Sequence, residues 1–367
     1  METIFPEKTR FANLRPGISY CVIISVISLI VYTLLTTQTV NKELGKGGRD
    51  LDCQRAIVER IHSGEGYYEA AEKELRHRGY LTQSVFNWRL PFLALFLAFL
   101  PTIEMGYWLG IMLAATALFL WIQMLKKEKS LGQTLLGSLL LTGFLIYGGI
   151  PELFFAHEFW AGTCIVLSLI FYSRSWLILS LISGGIALLI RELSLPFVVV
   201  MIMFALSEKR WHETLAWLSL TIGFLFILGI HAYYVQSFYI GNAHFIQKGE
   251  WIALGGWPFA LKTIQLHPFL ILTPPWVNAV LIPLLLLGLA GWKGKLGSRV
   301  ALLVYAYILS FLFVGQPFNI YWGVMFNALV PLGLLYIFPS FKHLWRSLLR
   351  KPFQPRPLPF LCSRGKG

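Results

Sequence analysis

The stretch GISYCVIISVISLIVYTLLTT, residues 17–37, is the first of a series of apolar segments long enough to cross the hydrocarbon core of a bilayer. The chain is 56% hydrophobic and only 13% charged, and its mean hydropathy is +0.64. Most of such a chain must face lipid or other apolar helices, because a soluble globule of this composition would precipitate. Only helices and closed barrels satisfy the backbone in lipid, and the alternating pattern of a barrel is absent. The sequence therefore predicts an all-α, polytopic transmembrane helical bundle.

About ten apolar spans follow one another along the chain. Two of them are short, so we expect them to be tilted, broken or packed inside the bundle. The predicted spans are 17–37, 104–125, 131–150, 154–172, 176–190, 194–206, 213–235, 276–292, 300–316 and 322–339.

Lysine and arginine are concentrated at alternate turns between these spans, which predicts the orientation of the bundle. Short cytoplasmic loops retain positive charge, and Lys8, Lys126 and Lys293 fall on one side by parity. Both termini are therefore expected to be cytoplasmic, with residues 1–340 as a single integral membrane domain and 341–367 as a basic cytoplasmic tail. The first span is too long for a cleaved signal, so we expect a retained anchor.

The net charge of +13 is interpreted as this orientation signal together with contact to membrane lipid headgroups. No nucleic-acid-binding motif is present, so nucleic acid is not an expected partner. The four cysteines are scattered and provide neither a disulfide framework nor zinc-ligand spacing. Charge and cysteine content therefore agree with the membrane assignment.

The longest polar stretch, residues 38–90, falls on the exoplasmic side by parity and forms the first exoplasmic loop. Apolar residues recur at helical spacing in 51–61 and again in 68–75. We expect two short amphipathic helices on the membrane surface, separated at Gly64 and Gly66. The alternative is a solvated connector.

Two further segments belong to the same side of the membrane. Residues 90–101 are apolar but too short to cross, so we expect them to dip into the interface before the next span. The second exoplasmic segment, 236–275, contains Lys248 and Trp257. Its tryptophans suit either interfacial anchoring or stacking on the face of a sugar.

Ionisable residues near the exoplasmic ends of the spans are the next signal, since burying them is costly unless they pair or take part in function. Arg191 and Glu192 lie between two short spans, and Tyr321 lies at the last exoplasmic turn. For Arg191 and Glu192 two interpretations stay open, an interhelical ion pair and a role in holding phosphate. For His157 and Glu158 the structural interpretation comes first, because no second ligand at helical spacing accompanies the histidine.

Three motifs of the first exoplasmic loop occur in a specific order after the first span. They are Asp50–Asp52 (DLD), Gly64–Tyr68 (GEGYY) and Trp88–Pro91 (WRLP). In this order the loop resembles the GT-C superfamily of polytopic glycosyltransferases, including mannosyltransferases, which use polyprenyl-phosphate sugars. The detailed match covers residues 47–101, and the rest of the chain is similar in topology. Cys53, Glu65 and Tyr67 depart from the family pattern.

The resemblance implies transfer of a sugar from a polyprenyl-phosphate donor to a glycan, lipid or protein acceptor, at the exoplasmic face of what we expect to be a bacterial plasma membrane. Asp50 or Asp52 would be the general base that deprotonates the acceptor hydroxyl as it attacks the anomeric carbon, with inversion. Arg191 and Arg89, with His157 as a further candidate, would contact the donor phosphate.

The second aspartate and Glu158 would orient the acceptor or hold a divalent ion. The sequence dictates no cofactor, and a Mg²⁺ or Mn²⁺ held by Asp50 and Asp52 is an open alternative. The further residues expected to bind substrate are Glu158, Glu192, Tyr67, Tyr68, Trp88, Lys248, Trp257 and Tyr321.

The main alternative function is a transporter or flippase for a lipid-linked or polar solute, in which intramembrane charges mark the pathway. The sequence contains no internal repeat of the kind that many transporters show. Its predicted charges gather at one membrane face rather than at the midplane, which favours surface chemistry. A scaffold subunit is the third alternative, and it would leave the aspartate pair dispensable.

Overall fold

The computed structural model describes residues 8–37, 44–80, 82, 84–238 and 254–349, and every regular element within them is a helix. The predicted all-α class is therefore confirmed for this part of the chain. In chain order the α-helices are α1 (Pro16–Thr36), α2 (Leu44–His62), α3 (Tyr67–His77), α4 (Val85–Trp88), α5 (Phe92–Ala98), α6 (Met105–Glu128), α7 (Leu131–Leu141), α8 (Gly143–Gly148), α9 (His157–Ser173), α10 (Leu177–Ile190), α11 (Leu195–Ser207), α12 (Trp211–Ser237), α13 (Gly256–Gln265), α14 (Pro275–Gly291), α15 (Lys295–Phe313) and α16 (Leu334–Leu348). Short 3-10 helices include Arg10–Asn13, Pro151–Phe155, Glu192–Ser194, Pro317–Met325 and Asn327–Gly333.

Five helical stretches of the described chain are long and apolar enough to cross a membrane. They are α1, α6, the α7–α8 stretch, α12 and α15. A sixth crossing is possible by length if the segments 317–325 and 327–348, which meet at a bend of 68°, form one broken span. These helices are compatible with an integral membrane protein. The other predicted spans coincide with the shorter helices α9, α10, α11 and α14, so the number of ten crossings stays a prediction.

The described part of the predicted first exoplasmic loop is folded against the bundle. Helices α2 and α3 are the two predicted amphipathic helices, and the chain reverses between them at Gly64, where φ is +104°. Arg60 of α2 binds Glu74 of α3 at 2.6 Å and Glu65 of the turn at 3.0 Å. Each of the two helices buries an apolar face, which in α2 includes Ile57. The solvated connector is therefore excluded for 44–80.

Helix α9 is the centre of the bundle. Every residue from His157 to Ile170 is buried, together with Tyr172, as is typical of a helix with apolar side chains on all faces. Helices α6 and α10 and the 3-10 helix Pro317–Met325 pack around it.

The backbones of α9 and the 3-10 helix Pro317–Met325 approach each other closely at Gly162 of α9. A Cβ atom at this position would lie 2.9 Å from the Cα of Met325 and 2.9 Å from the carbonyl oxygen of Val324. Both of these are backbone atoms, so no side chain can turn away to make room. The position of the 3-10 helix therefore depends on the missing side chain at Gly162.

We expect Gly162→Ala to lower the free energy of unfolding by about 1–3 kcal/mol, because the added methyl group meets backbone atoms. The matched control is Gly223→Ala on α12, where an added Cβ meets nothing within 4 Å, and it should be neutral or slightly stabilising. Denaturant titration of both variants in detergent micelles measures the difference. Equal stability of the two variants would contradict the close approach of α9 and the 3-10 helix.

Candidate functional site

A cavity of about 350 Å³ lies where four separate segments of the chain meet. Asp50 comes from α2, Tyr80 from the end of α3, Arg89 from the end of α4 and Tyr321 from the 3-10 helix Pro317–Met325. The remaining lining residues are Cys53, Gln54, Leu75, Gly79, Asn87, Gln316, Phe318, Asn319 and Trp322. The volume is within the range of sites for small ligands.

The Asp50 carboxylate is held by two tyrosine hydroxyls. Tyr321 donates a hydrogen bond to one carboxylate oxygen at 2.7 Å, and Tyr80 donates to the other. Burial and the bond to Asp50 raise the pKa of Tyr80, so its hydroxyl keeps its proton and remains a donor. An ionised carboxylate has about four acceptor positions, so two donors fix its orientation without using its full capacity.

Arg89 is the cation of the cavity. Its Nη2 donates to the Tyr321 hydroxyl at 3.2 Å, which is the one side-chain hydrogen bond of this guanidinium within the described residues. Burial alone lowers the pKa of Arg89, but the nearby Tyr321 and the carboxylates of Glu158, Glu192 and Asp50 outweigh it and raise the pKa. A guanidinium has five N–H donors. The structure therefore leaves most of them available for an anion in the cavity.

The backbone at Arg89 is strained. Its φ is +55°, a value that residues other than glycine seldom adopt. The buried hydroxyl of Tyr67 holds this conformation by donating to the carbonyl oxygens of Trp88 and, at 3.0 Å, Arg89. Tyr67 was expected to bind substrate, whereas in the structure its hydroxyl bonds to the backbone that positions Arg89.

Asp52 does not lie in the cavity with Asp50. Both residues belong to α2, and positions two apart on an α-helix are about 200° apart around its axis. Asp52 is exposed and lines a different cavity of about 200 Å³, which also contains Glu59 and Glu152. The expectation that the two aspartates act in one site is thus corrected.

The separation of Asp50 from Asp52 also decides whether the two residues fit a metal ion. No group of three or more histidine, cysteine, aspartate or glutamate side chains among the described residues is arranged to hold a metal ion. Because Asp50 and Asp52 face opposite sides of α2, they do not fit the Mg²⁺ or Mn²⁺ site that the sequence left open. Cys53 lines the cavity beside Asp50, but burial raises the pKa of its thiol to about 12, so it stays protonated.

Arg191 lies behind the cavity in a buried ion pair. Its side chain is 1% exposed, its Nε donates to Glu158 at 2.7 Å and its Nη1 donates to Glu192. The guanidinium also lies 5.7 Å from the centre of the Trp322 ring, which lines the cavity. Of the two interpretations left open by the sequence, the structure favours the interhelical ion pair over contact with phosphate. Glu158 and Glu192 are likewise committed to Arg191 rather than to a substrate.

Most of the other residues predicted to bind donor or substrate do not line the cavity. His157 is buried at the start of α9 and does not line the cavity. The Tyr68 ring stacks on Tyr234, and its hydroxyl bonds to Nδ1 of His231 at 3.0 Å. Lys248 lies outside the described residues.

Both tryptophans are buried and donate their indole N–H groups to the protein. Trp88 donates to the carbonyl of Thr82 at 2.8 Å, and Trp257 donates to the Thr33 hydroxyl at 2.7 Å. Thr33 belongs to α1 and Trp257 to α13, so the second bond joins two helices away from the cavity. The structure therefore assigns Trp257 to a contact between two helices rather than to the sugar stacking that the sequence left open.

Several residues of the cavity were not among the site residues predicted from the sequence. Tyr80 follows Gly79, where φ is +73° and the chain turns at the end of α3, and no motif marks it. Gln54 lies one helical turn after Asp50, so the 3.6-residue period was an available signal. Asn319 and Trp322 flank Tyr321 in the sequence, and the Nδ2 atom of the buried Asn319 has no hydrogen-bond partner within the described residues.

A second buried arginine lies at the opposite end of α9. Arg299 is 0% exposed and donates to Tyr172 at 2.7 Å and to Glu208 at 3.0 Å. Its guanidinium lies over the rings of Tyr172 and Phe204. Charges are thus buried at both ends of α9, whereas the sequence led us to expect them at one face alone.

No family model, no curated protein and no solved structure matches this chain.

We expect Arg191→Met to lower the free energy of unfolding by about 3–5 kcal/mol, because it leaves two buried carboxylates without their cation. The control is Arg55→Met, which breaks the Arg55–Glu59 pair, whose side chains are 62% and 50% exposed, and it should cost about 0–1 kcal/mol. Thermal and denaturant unfolding in detergent micelles would measure both values. A loss for Arg191→Met no larger than that of the control would argue against a structural ion pair.

Proposed function

We propose that this chain is a membrane glycosyltransferase of the GT-C type, which moves a sugar from a polyprenyl-phosphate donor to an acceptor hydroxyl with inversion. The observation that carries the proposal is the position of Asp50. Its carboxylate is oriented by Tyr80 and Tyr321 in the wall of a cavity that also contains the Arg89 guanidinium. A base and a cation in one cavity are the two groups that the reaction needs.

Asp50 is the general base in this proposal. An acceptor hydroxyl is a poor nucleophile, so its proton passes to the carboxylate as its oxygen attacks the anomeric carbon. The glycosidic bond to the phosphate breaks as the new bond forms on the opposite face of the sugar. The two tyrosine hydroxyls keep the carboxylate in one orientation, which reduces the cost of reaching the attacking geometry.

Arg89 stabilises the departing polyprenyl phosphate. The leaving group gains negative charge in the transition state, and a guanidinium binds phosphate oxygens through two parallel N–H donors. Tyr321 accepts from Arg89 and donates to Asp50, so the cation and the base are joined through one hydroxyl. This link sets their separation without a direct ion pair, which would neutralise both groups.

The cavity lining suits an uncharged, polyhydroxylated sugar. Gln54, Asn87 and Asn319 present amides, which donate and accept hydrogen bonds as sugar hydroxyls do. Phe318 and Trp322 add aromatic surface for the less polar face of the ring.

The first test uses purified protein in lipid vesicles with labelled polyprenyl-phosphate sugars. We expect Asp50→Asn to lower the rate of sugar transfer by about 10²- to 10⁴-fold, the usual contribution of a general base. Asp52→Asn should keep the wild-type rate, because Asp52 is exposed outside the cavity. Glu69→Gln, which removes an exposed charge from α3, controls for the loss of negative charge.

Each outcome of this experiment is informative. Loss of transfer in both aspartate variants with retained folding would contradict the assignment of Asp50 as the sole base. Movement of the donor across the vesicle membrane without cleavage of the sugar–phosphate bond would contradict the enzyme and favour the transporter. Unfolding curves of the variants exclude misfolding as the cause of a lost activity.

The second test concerns Arg89. We expect Arg89→Gln to weaken binding of the labelled donor by about 10- to 100-fold, because a charge-assisted hydrogen bond contributes about 1.5–3 kcal/mol. Arg89→Lys should be intermediate, since it keeps the charge and loses the planar pair of donors. Arg55→Gln is the control because Arg55 is exposed and lines the other cavity. Unchanged donor affinity in Arg89→Gln would remove this residue from the proposal.

A further inference from the structure

A third cavity, at the other end of the bundle, is lined almost entirely by basic and neutral polar side chains. It has a volume of about 510 Å³ and lies between the N-terminal segment, the turn between α14 and α15, and α16. Its lining residues are Lys8, Thr9, Arg10, Ala12, Asn13, Lys293, His343 and Arg346. We name this cavity the basic pocket. None of the described residues that line it is acidic, so the pocket concentrates positive charge without internal compensation.

The basic pocket is built by fixed contacts rather than by loosely placed surface lysines. The buried Thr9 hydroxyl bonds to Nδ1 of His343 at 2.9 Å, and Arg10 donates to the Ser298 hydroxyl at 2.9 Å. Below them Phe11 is buried against Leu287 and Leu344. The N-terminal segment is thereby attached to α14, α15 and α16.

The pocket lies at the opposite end of α15 from the Asp50 cavity. Ser298, which Arg10 contacts, is near the start of α15, whereas Gln316, which lines the Asp50 cavity, follows the end of the helix. A helix of 19 residues is about 28 Å long, which is close to the thickness of the hydrocarbon core. The two cavities are therefore spaced as two opposite membrane surfaces are.

Helix α16 indicates what surrounds the pocket. Phe338, Phe341, Trp345 and Leu349 form an exposed apolar stripe at helical spacing along it and at its end. His343 and Arg346 line the basic pocket from the same helix. An apolar stripe beside basic residues matches the boundary between acyl chains and headgroups, where tryptophan is also enriched.

We propose that the basic pocket binds the phosphate group of an anionic membrane lipid. Arg10 and Arg346 supply guanidinium groups for the phosphate oxygens, Lys8 and Lys293 add charge at the rim, and Thr9 and Asn13 are neutral polar neighbours. The adjoining stripe on α16 contacts the acyl chains, which selects a lipid over a free phosphate ion. This proposal is independent of the reaction proposed for the Asp50 cavity.

The test titrates the full-length protein in detergent micelles with dioctanoyl phosphatidylglycerol and follows the midpoint of thermal unfolding. We expect this anionic lipid to raise the midpoint in a saturable way that added NaCl weakens, and dioctanoyl phosphatidylcholine to have little effect. The double variant Arg10→Gln/Arg346→Gln should require about tenfold or more of the anionic lipid for the same shift. Lys342→Gln should respond like the wild type, because Lys342 is an exposed base of α16 outside the pocket.

A second double variant, Lys293→Gln/Arg346→Gln, keeps the bond from Arg10 to Ser298 and is used if the first one does not fold. An undiminished response of the pocket variants to phosphatidylglycerol would overturn the proposal. An equal loss in Lys342→Gln would also overturn it, since it would show a general charge effect. If inorganic phosphate alone produced the same shift as the lipid, the lipid assignment would be wrong.

Discussion

The buried ion pair of Arg191 with Glu158 and Glu192 is the constraint on which the rest of the site depends. Taking three charged groups out of water is costly, and the cost is offset only if each group keeps its partners in good geometry. The pair therefore joins the start of α9 to the turn between α10 and α11. Through the contact of Arg191 with Trp322 it also supports the 3-10 helix that carries Tyr321. A cavity wall built on this pair has little freedom to shift.

The Asp50 cavity is assembled from chain segments that are far apart in sequence. Tyr321 and Asp50 are separated by 271 positions, yet one hydrogen bond of 2.7 Å joins them. The segment that holds α2, α3 and α4 is thus part of the site, because Asp50, Tyr80 and Arg89 line the cavity. The ion pairs of Arg60 hold α2 and α3 together. Inside the bundle, the absence of a side chain at Gly162 lets the 3-10 helix pack directly against α9.

Much of the fold follows from the amino-acid pattern because lipid leaves the backbone few choices. Apolar stretches must become helices to satisfy their own N–H and C=O groups, and the amphipathic spacing in 51–61 and 68–75 predicted α2 and α3 correctly. The broken geometry near Pro317–Met325 and Asn327–Gly333 was not predictable in the same way. There the predicted span 322–339 is interrupted by 3-10 structure, and the backbone at Gly323 and Gly333 packs closely against the backbone of Thr263 and Leu285.

The sequence by itself determined the helical class, the membrane character, the loop with its two amphipathic helices, and Asp50, Arg89 and Tyr321 as candidates. Only the tertiary structure decided which of the candidates meet. It separated Asp50 from Asp52, because residues two apart on a helix face opposite sides, and it assigned Arg191 to carboxylates and Trp257 to a threonine of α1. It also brought in Tyr80, which no motif marks. The physical reason is that residue type and local spacing determine which helices form and which faces they bury, whereas hydrogen bonds between distant segments depend on how those helices pack.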